Sequence, residues 1–112
     1  CLLMASLTLA ADPPKKLLLV GSAPDSHPPG THEYLPTMDI LAKLLKPVPG
    51  IDVTVVKADA AWKDGPELVG RSDGVVLFLT EGAAWLSADE ARLAAFRKLA
   101  ARGGRRSRSR ST

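Results

Sequence analysis

Two unbroken apolar runs constrain the fold of this chain more than any other feature. Residues 17 to 20 read Leu-Leu-Leu-Val before a glycine, and residues 75 to 79 read Val-Val-Leu-Phe-Leu after Asp-Gly. Apolar runs of this length are typical of parallel strands that are buried on both faces. Residues 51 to 55 instead alternate between apolar and polar side chains, which predicts a strand at the edge of the same sheet.

Helical patterns separate and follow these strands. Pro36 suits the start of a helix, and the apolar stripe of that helix consists of Met38, Leu41, Leu44 and Leu45. Ser87 and Glu90 have the spacing of a capping box, which predicts a second long helix that ends at residues 103 and 104, where two glycines occur. The side chains expected to face inward from this helix are Leu93, Phe96 and Leu99.

The resulting order is β-α-β-(α)-β-α, with one helical turn expected around residues 66 to 69. This alternation predicts an α/β protein of three layers, with a parallel sheet and right-handed crossovers. One edge strand and two interior strands predict the spatial order 2-1-3 of a flavodoxin-like sheet. The last strand then needs a further neighbour, but residues 105 to 112 read RRSRSRST. We therefore expect an incomplete sheet, in a fragment or in a chain whose reading frame is lost near residue 104.

The composition allows one globular domain. The chain has 112 residues, of which 46% are hydrophobic and 24% charged, and its single cysteine, Cys1, excludes an internal disulfide or a multi-cysteine metal site. Residues 102 to 112 hold five of the 15 basic side chains and no acidic one, so ten basic and 12 acidic side chains remain elsewhere, a balance of −2. A nucleic-acid role would therefore rest on this tail alone, and none is expected of the folded part.

Both ends of the chain are predicted to lie outside the domain. The apolar stretch 2 to 9 and the small residues after it indicate the remnant of an export signal over residues 1 to 11. An export signal predicts a periplasmic or extracellular protein. Because the stretch is too short to span a bilayer, we expect no stable membrane span. Residues 104 to 112 are expected to form a disordered Arg/Ser tail, either a product of frame loss or a real tail that binds RNA or an acidic partner.

The predicted topology brings two loops together. In an open α/β sheet, ligands bind beyond the carboxyl ends of the strands, where the strand order reverses. For the order 2-1-3 this crevice lies between residues 22 to 34 and residues 80 to 85. Both histidines of the chain fall in the first loop, and a tryptophan falls in the second. The predicted ligand-binding residues are His27, Gly30, His32, Glu33, Glu81 and Trp85.

These residues suit more than one kind of chemistry. His27, His32 and Glu33 suit a divalent metal such as zinc or iron, and they also suit the binding of sugar hydroxyls or acid–base chemistry. His32 and Glu33 equally suit a loop in which they only cap the next helix. Gly30 suits either the close approach of the backbone to a ligand or a turn with positive φ. Trp85 is suited to stacking on a sugar ring or to covering its helix as an apolar lid.

The segments that carry these features resemble the ThuA-like (trehalose-utilisation) family, which has a class I glutamine amidotransferase-like fold. They read KKLLLVGSAPDSHPPGTHEYLPTMDILAKLL and SDGVVLFLTEGAAWLSADEARLAAFRKLAARG, and the most specific part is His27-x-x-Gly30-x-His32-Glu33. The resemblance covers residues 15 to 103, the N-terminal part of a larger domain. It implies a bacterial, exported protein of carbohydrate metabolism that binds trehalose or a related sugar, with these four residues in its pocket.

The resemblance also limits the activity to be expected. In glutamine amidotransferases the nucleophilic cysteine follows a strand that would come after residue 104, whereas the only cysteine here is Cys1. The histidine-containing segment that ThuA-like proteins carry in that region is also absent. The resemblance thus predicts no glutaminase activity and leaves open whether the chain is an enzyme. The alternatives are a non-catalytic sugar-binding or interaction module and a protein that binds RNA through its tail.

Overall fold

Three parallel strands form a single sheet in the order β2-β1-β3. The computed structural model describes residues 13–59 and 61–108, with the side chains of these residues up to 103. The strands are β1 (Lys15–Ser22), β2 (Ile51–Ala58) and β3 (Gly74–Phe78). In the register of the sheet, Leu18 pairs with Thr54 on one side and with Val75 on the other. The predicted α/β class, the parallel pairing and the 2-1-3 order are confirmed, and they are compatible with part of a flavodoxin-like sheet.

Helices cover both faces of this sheet. Their bounds are α1 (Tyr34–Leu45), α2 (Gly65–Gly70), α3 (Gly82–Ser87) and α4 (Glu90–Arg108). Helix α1 packs on the face that carries Gly21 and Phe78, because a Cβ on Gly21 would lie 3.0 Å from the carbonyl oxygen of Tyr34. The other helices pack on the face that carries Leu18 and Val20. The molecule therefore has the three layers that the sequence predicts.

The burial of β1 and β2 matches their sequences, whereas that of β3 does not. On β1, Leu18, Leu19 and Val20 are 2%, 0% and 0% exposed, which confirms a central strand buried on both faces. On β2, Asp52 and Thr54 are exposed between half-buried neighbours, as expected at an edge. Strand β3 is half-buried along its whole length, and within residues 13–59 and 61–108 it pairs only with β1. The predicted further neighbour of β3 has no counterpart in that part of the chain.

An aromatic cluster fills the layer between the sheet and helices α2 to α4. Trp62 is 5% exposed and joins Leu18, Val20 and Val69 in the buried core. Its ring centroid lies 4.9 Å from that of Trp85 and 6.2 Å from that of Phe96. These contacts give Trp62 a packing role.

One charged side chain is buried in the same layer. Arg92 of α4 is 1% exposed, and its guanidinium carbon lies 4.1 Å from the centre of the Trp85 ring. The guanidinium donates hydrogen bonds to the backbone carbonyls of Trp85 and Ala61. Cation–π contact and carbonyl acceptors together offset the cost of burying the charge. The sequence gives no local sign of this arrangement.

Some predicted details of the helices are wrong. Helix α1 begins at Tyr34, two residues before Pro36, and Leu44 of its predicted apolar stripe is 69% exposed. Ser87 is the last residue of α3, where its hydroxyl donates to the carbonyl of Ala83 at 2.9 Å. The carboxylate of Asp89 instead accepts the backbone N–H of Arg92 at 2.9 Å, so Asp89 caps α4.

The structure describes part of the predicted C-terminal tail but not the predicted export signal. Helix α4 does not end at residues 103 and 104 but continues to Arg108. The predicted export signal, residues 1 to 11, and the last four residues of the predicted tail, 109 to 112, lie outside the described residues. Within the described segments, no helix combines the length and the apolar character that are needed to cross a membrane.

Candidate functional site

The loops that follow β1 and β3 meet at the carboxyl edge of the sheet. The backbone N–H of Thr80 donates to the hydroxyl oxygen of Ser22 at 3.1 Å, and the two hydroxyl oxygens lie 3.5 Å apart. Parallel pairing brings these positions together, because both strands end at the same edge. The two loops are therefore in contact at this edge, as the parallel strand order predicts, whereas the groove described below is lined by residues of the first loop.

Asp25 is the centre of a hydrogen-bonded group in the first loop. Its Oδ1 accepts the backbone N–H of His27 at 2.9 Å, and its Oδ2 accepts the hydroxyl of Tyr34 at 2.7 Å. The Nδ1 atoms of His27 and His32 each lie 3.1 Å from one of the two carboxylate oxygens. The centroids of the two imidazole rings are 4.7 Å apart. We call these three residues, Asp25, His27 and His32, the loop cluster.

Tyr34 connects the loop cluster to the sheet. It is the first residue of α1 and is 6% exposed. Its ring centroid lies 4.7 Å from that of Phe78 on β3 and 5.8 Å from that of His32, on which it stacks. A buried aromatic anchor of this kind fixes the position of its hydroxyl, and with it the position of the Asp25 carboxylate.

The same contacts set the charge of Asp25 and Tyr34. Two hydrogen bonds stabilise the carboxylate of Asp25, and they hold the pKa of this carboxyl well below its usual range. The larger effect comes from the hydroxyl of Tyr34 and the next from the backbone N–H of His27. A hydrogen bond with Thr80 lowers the pKa of Tyr34, but the bond to Asp25, burial and the carboxylate charge together raise it above its ordinary value. At neutral pH Asp25 is therefore an anion and Tyr34 a neutral donor.

The loop cluster faces an open groove. The side chains of His27 and His32 are 56% and 40% exposed, whereas that of Asp25 is only 11% exposed. The groove has a volume of about 350 Å³. Its lining consists of Pro24, Asp25, His27, Pro28, Pro29, His32 and Glu33. Both imidazoles are thus held from one side by a carboxylate and remain open to a ligand on the other.

Glu33 and Gly30 have a structural role in the same loop. Gly30 has a φ of +88°, which confirms the predicted turn, and its backbone N–H donates to Oε1 of Glu33 at 2.7 Å. Glu33 occupies the N-cap position of α1, but its side chain makes no capping hydrogen bond. Glu33 therefore caps α1 through its backbone carbonyl, which accepts the N–H of Thr37 at 3.0 Å, and not through its side chain. This carboxylate closes the loop instead.

The two candidate residues of the second loop, Glu81 and Trp85, have different surroundings from the histidines. Glu81 has a φ of +50° just before α3, and no hydrogen bond or ion pair among the described residues connects its side chain with the loop cluster. The indole N–H of Trp85 donates to the carbonyl of Asp59 at 3.1 Å, and the ring packs against Trp62 and Arg92. The described contacts of Trp85 are thus those of a packing residue.

Sequence reasoning missed Asp25 and Tyr34. A local signal exists for Asp25, because an aspartate two residues before a loop N–H often accepts it, as in Asp25-Ser26-His27. No such signal exists for Tyr34, whose role depends on contacts with β3. The potential metal-ligating atoms of Asp25, His27 and His32 all lie within 4.8 Å of one another. The carboxylate that lies beside the two histidines is thus that of Asp25, whereas the metal option in the sequence uses Glu33.

Arg102, the first of the five arginines in residues 102 to 112, has a structural role. The guanidinium of Arg102 donates to the carbonyl of Ser72 at 3.2 Å and to that of Val69 at 3.4 Å. The carbonyl of Val69 lies in the last turn of α2, and that of Ser72 lies two residues beyond the helix. Arg102 therefore connects α4 to α2.

Comparison with known proteins identifies no family. No family model matches the chain, and neither a curated protein nor a solved structure matches it. The function is therefore inferred from the geometry of the loop cluster, together with the resemblance described above.

The role of Tyr34 in the loop cluster can be tested by titration. We expect Tyr34→Phe to raise the pKa of Asp25, because the largest of the contacts that lower it is lost. The measurement is the carboxyl ¹³C shift of Asp25 between pH 7 and pH 2, with Asp25→Asn used to assign the signal. An equal titration of Asp25 in the wild type and in Tyr34→Phe would contradict this role.

The same substitution should change the acid dependence of stability. A carboxyl whose folded-state pKa is lowered contributes stability that is complete above its unfolded pKa, about 3.9. This contribution is lost as the pH falls through the folded pKa. The wild type should therefore lose more unfolding free energy than Tyr34→Phe between pH 6 and pH 3, as measured by urea denaturation.

Proposed function

We propose that this chain is part of an exported, ThuA-like protein of carbohydrate metabolism and that the loop cluster binds a small sugar such as trehalose. The observation that carries the proposal is the pair of exposed imidazoles that the partly buried carboxylate of Asp25 holds beside a groove. The resemblance of residues 15 to 103 supplies the sugar class, and residues 1 to 11 supply the expectation of export.

The chemistry of the groove suits a polyhydroxylated ligand. Sugar hydroxyls both donate and accept hydrogen bonds, and imidazole and carboxylate groups can complement them. Pro24, Pro28 and Pro29 add apolar ring surface to the same groove, on which the C–H face of a sugar can rest. Ligand sites in proteins combine such apolar walls with a few polar groups that fix orientation.

The loop is also ordered before any ligand arrives. Asp25 ties His27, His32 and Tyr34 together, and Glu33 closes the turn at Gly30. Prolines at three groove positions restrict the backbone further. Because a preorganised loop loses little conformational entropy on binding, more of the contact free energy remains as affinity.

Sugar binding can be measured by calorimetry with trehalose and related disaccharides. We expect saturable binding to the wild type and at least a tenfold weaker affinity for His27→Ala and His32→Ala, because each removes a hydrogen-bonding group that faces the groove. Asp39→Ala is the control, since Asp39 is exposed on α1, away from the groove lining. Unchanged affinity in both histidine variants, or no binding of any disaccharide, would contradict the proposal.

Binding and turnover distinguish an enzyme from a sugar-binding module. A module without catalysis would show the same affinities but would leave the bound disaccharide unchanged after prolonged incubation. Chromatography of the recovered sugar provides this readout. The loop cluster supports the binding step in either case.

A further inference from the structure

We infer that the loop cluster binds a divalent transition metal ion such as Zn²⁺, with Asp25, His27 and His32 as its protein ligands. This site extends the proposed function, because it lies in the same groove. It does not depend on sugar binding, since metal binding can be measured without any sugar. Within the described residues, these three side chains are the group whose ligating atoms come together closely enough, all within 4.8 Å.

The distances in the loop cluster are close to those of a metal site. Zinc lies about 2.0–2.2 Å from imidazole nitrogen and carboxylate oxygen, so neighbouring ligand atoms in a tetrahedral site are roughly 3.3–3.5 Å apart. The two nitrogen-to-oxygen distances that involve Asp25 are both 3.1 Å. The ligating atoms of the loop cluster therefore lie close enough together for one ion to reach all three side chains.

The donor set selects the class of ion. Two imidazoles and one carboxylate suit zinc, cobalt, nickel and copper, whereas calcium and magnesium prefer sites built from oxygen ligands. Three protein ligands also leave at least one coordination position open. Because His27 and His32 border the groove, that position would be accessible to water or to a sugar hydroxyl.

The surroundings of Asp25 resemble those of a metal-ligating carboxylate. Such carboxylates are themselves held by hydrogen bonds from neighbouring groups, which fix their orientation. Here the hydroxyl of Tyr34 and the backbone N–H of His27 hold Asp25 from the protein side. The carboxylate is 11% exposed and presents one oxygen to each imidazole.

The alternative is a loop in which the same three side chains only bond to one another. In that case the histidines and Asp25 would fix the loop without any ion. The two possibilities predict different zinc affinities for the variants. If the loop cluster is a metal site, substitution of Asp25 or of either histidine weakens zinc binding. Asp39 provides a matched comparison, because Asp39→Asn removes the same charge from an exposed position on α1, outside the groove lining.

The experiment is a calorimetric titration of the full chain with ZnCl₂, in a Cys1→Ser background that removes the only thiol. We expect one zinc ion per chain and at least a tenfold weaker affinity for Asp25→Asn, His27→Ala and His32→Ala. Asp39→Asn should stay within about twofold of the wild type. Tyr34→Phe should weaken binding by about tenfold, as loss of an outer partner of a metal ligand does. Excess Mg²⁺ or Ca²⁺ should not compete.

The inference is overturned if the folded wild type does not bind zinc, or if Asp25→Asn and Asp39→Asn weaken binding equally. Circular dichroism establishes which variants fold. If Asp25→Asn does not fold, NMR of the protein with Asp25 intact is the deciding measurement. The imidazole signals of both His27 and His32 must then shift when zinc is added. Trehalose binding that persists in EDTA while zinc binding fails would overturn the metal site alone and leave the proposed sugar binding intact.

Discussion

Leu19→Ala lowers the free energy of unfolding by about 2–5 kcal/mol, the range for large-to-small changes in a packed core. Leu19 lies on the central strand, is 0% exposed and pairs with Val55 on β2 and Val76 on β3. Truncation removes apolar contacts and leaves a cavity that the neighbouring strands cannot close without disturbing the sheet. Urea denaturation followed by circular dichroism measures the loss.

The control for this prediction is the same substitution at an exposed leucine. Leu44→Ala on α1 should change the unfolding free energy by less than about 0.5 kcal/mol, because Leu44 is 69% exposed. A similar loss in both variants would contradict the burial of the central strand. It would also restore Leu44 to the apolar stripe that the sequence predicts for α1.

Gly65→Ala destabilises the protein by about 1–3 kcal/mol, the usual cost of adding volume to a packed site. Alanine has the higher helix propensity and would favour α2 by up to about 1 kcal/mol if only local structure mattered. A Cβ on Gly65, however, would lie 2.0 Å from the ring of Trp62, which is itself 5% exposed. Either the Trp62 ring or the start of α2 must therefore move.

Helix α2 contains its own control. Gly70 ends this helix, and a Cβ at that position would meet nothing within 4 Å. Gly70→Ala should therefore be neutral or stabilise by up to about 1 kcal/mol. Thermal denaturation of the two variants side by side provides the comparison. Equal stability of Gly65→Ala and Gly70→Ala would contradict the close packing of Trp62 on α2.

The strands and their order could be predicted because burial determines their sequences directly. A central parallel strand must be apolar on both faces, and an edge strand need be apolar on only one, so residues 17 to 20 and 51 to 55 differ visibly. The order 2-1-3 follows from this contrast. Strand β3 shows the limit of such reasoning, since its apolar sequence predicts a second neighbour that the described residues do not contain.

The helix boundaries could not be predicted as well, because competing caps lie close together. Ser87 and Asp89 are both good N-cap residues, and the sequence also contains the glutamate that completes a capping box with Ser87. In the structure the hydroxyl of Ser87 bonds to carbonyls at the end of α3. Because α3 was not predicted, this competing use of Ser87 was invisible, and Asp89 was passed over.

The candidate site was predicted in part. His27 and His32 stand out because they are the only histidines of the chain and fall in one loop after a buried strand. A metal site is one of the chemistries that the sequence leaves open, and there Glu33 is the candidate third ligand beside His27 and His32. Asp25 reaches both imidazoles only because the loop folds back on itself and Tyr34 holds it from the sheet. Contacts of this kind are not encoded in residue spacing.

The most direct test of the ligand site is residue-resolved NMR of the ¹⁵N-labelled chain during titration with trehalose. We predict that the largest shift changes occur at the backbone amides of residues 25 to 34 and in the imidazole rings of His27 and His32. Amides of α2 and of the N-terminal half of β2 should not move. Shifts confined to those distant elements, or no shifts at saturating sugar, would contradict a ligand site at the carboxyl edge of the sheet.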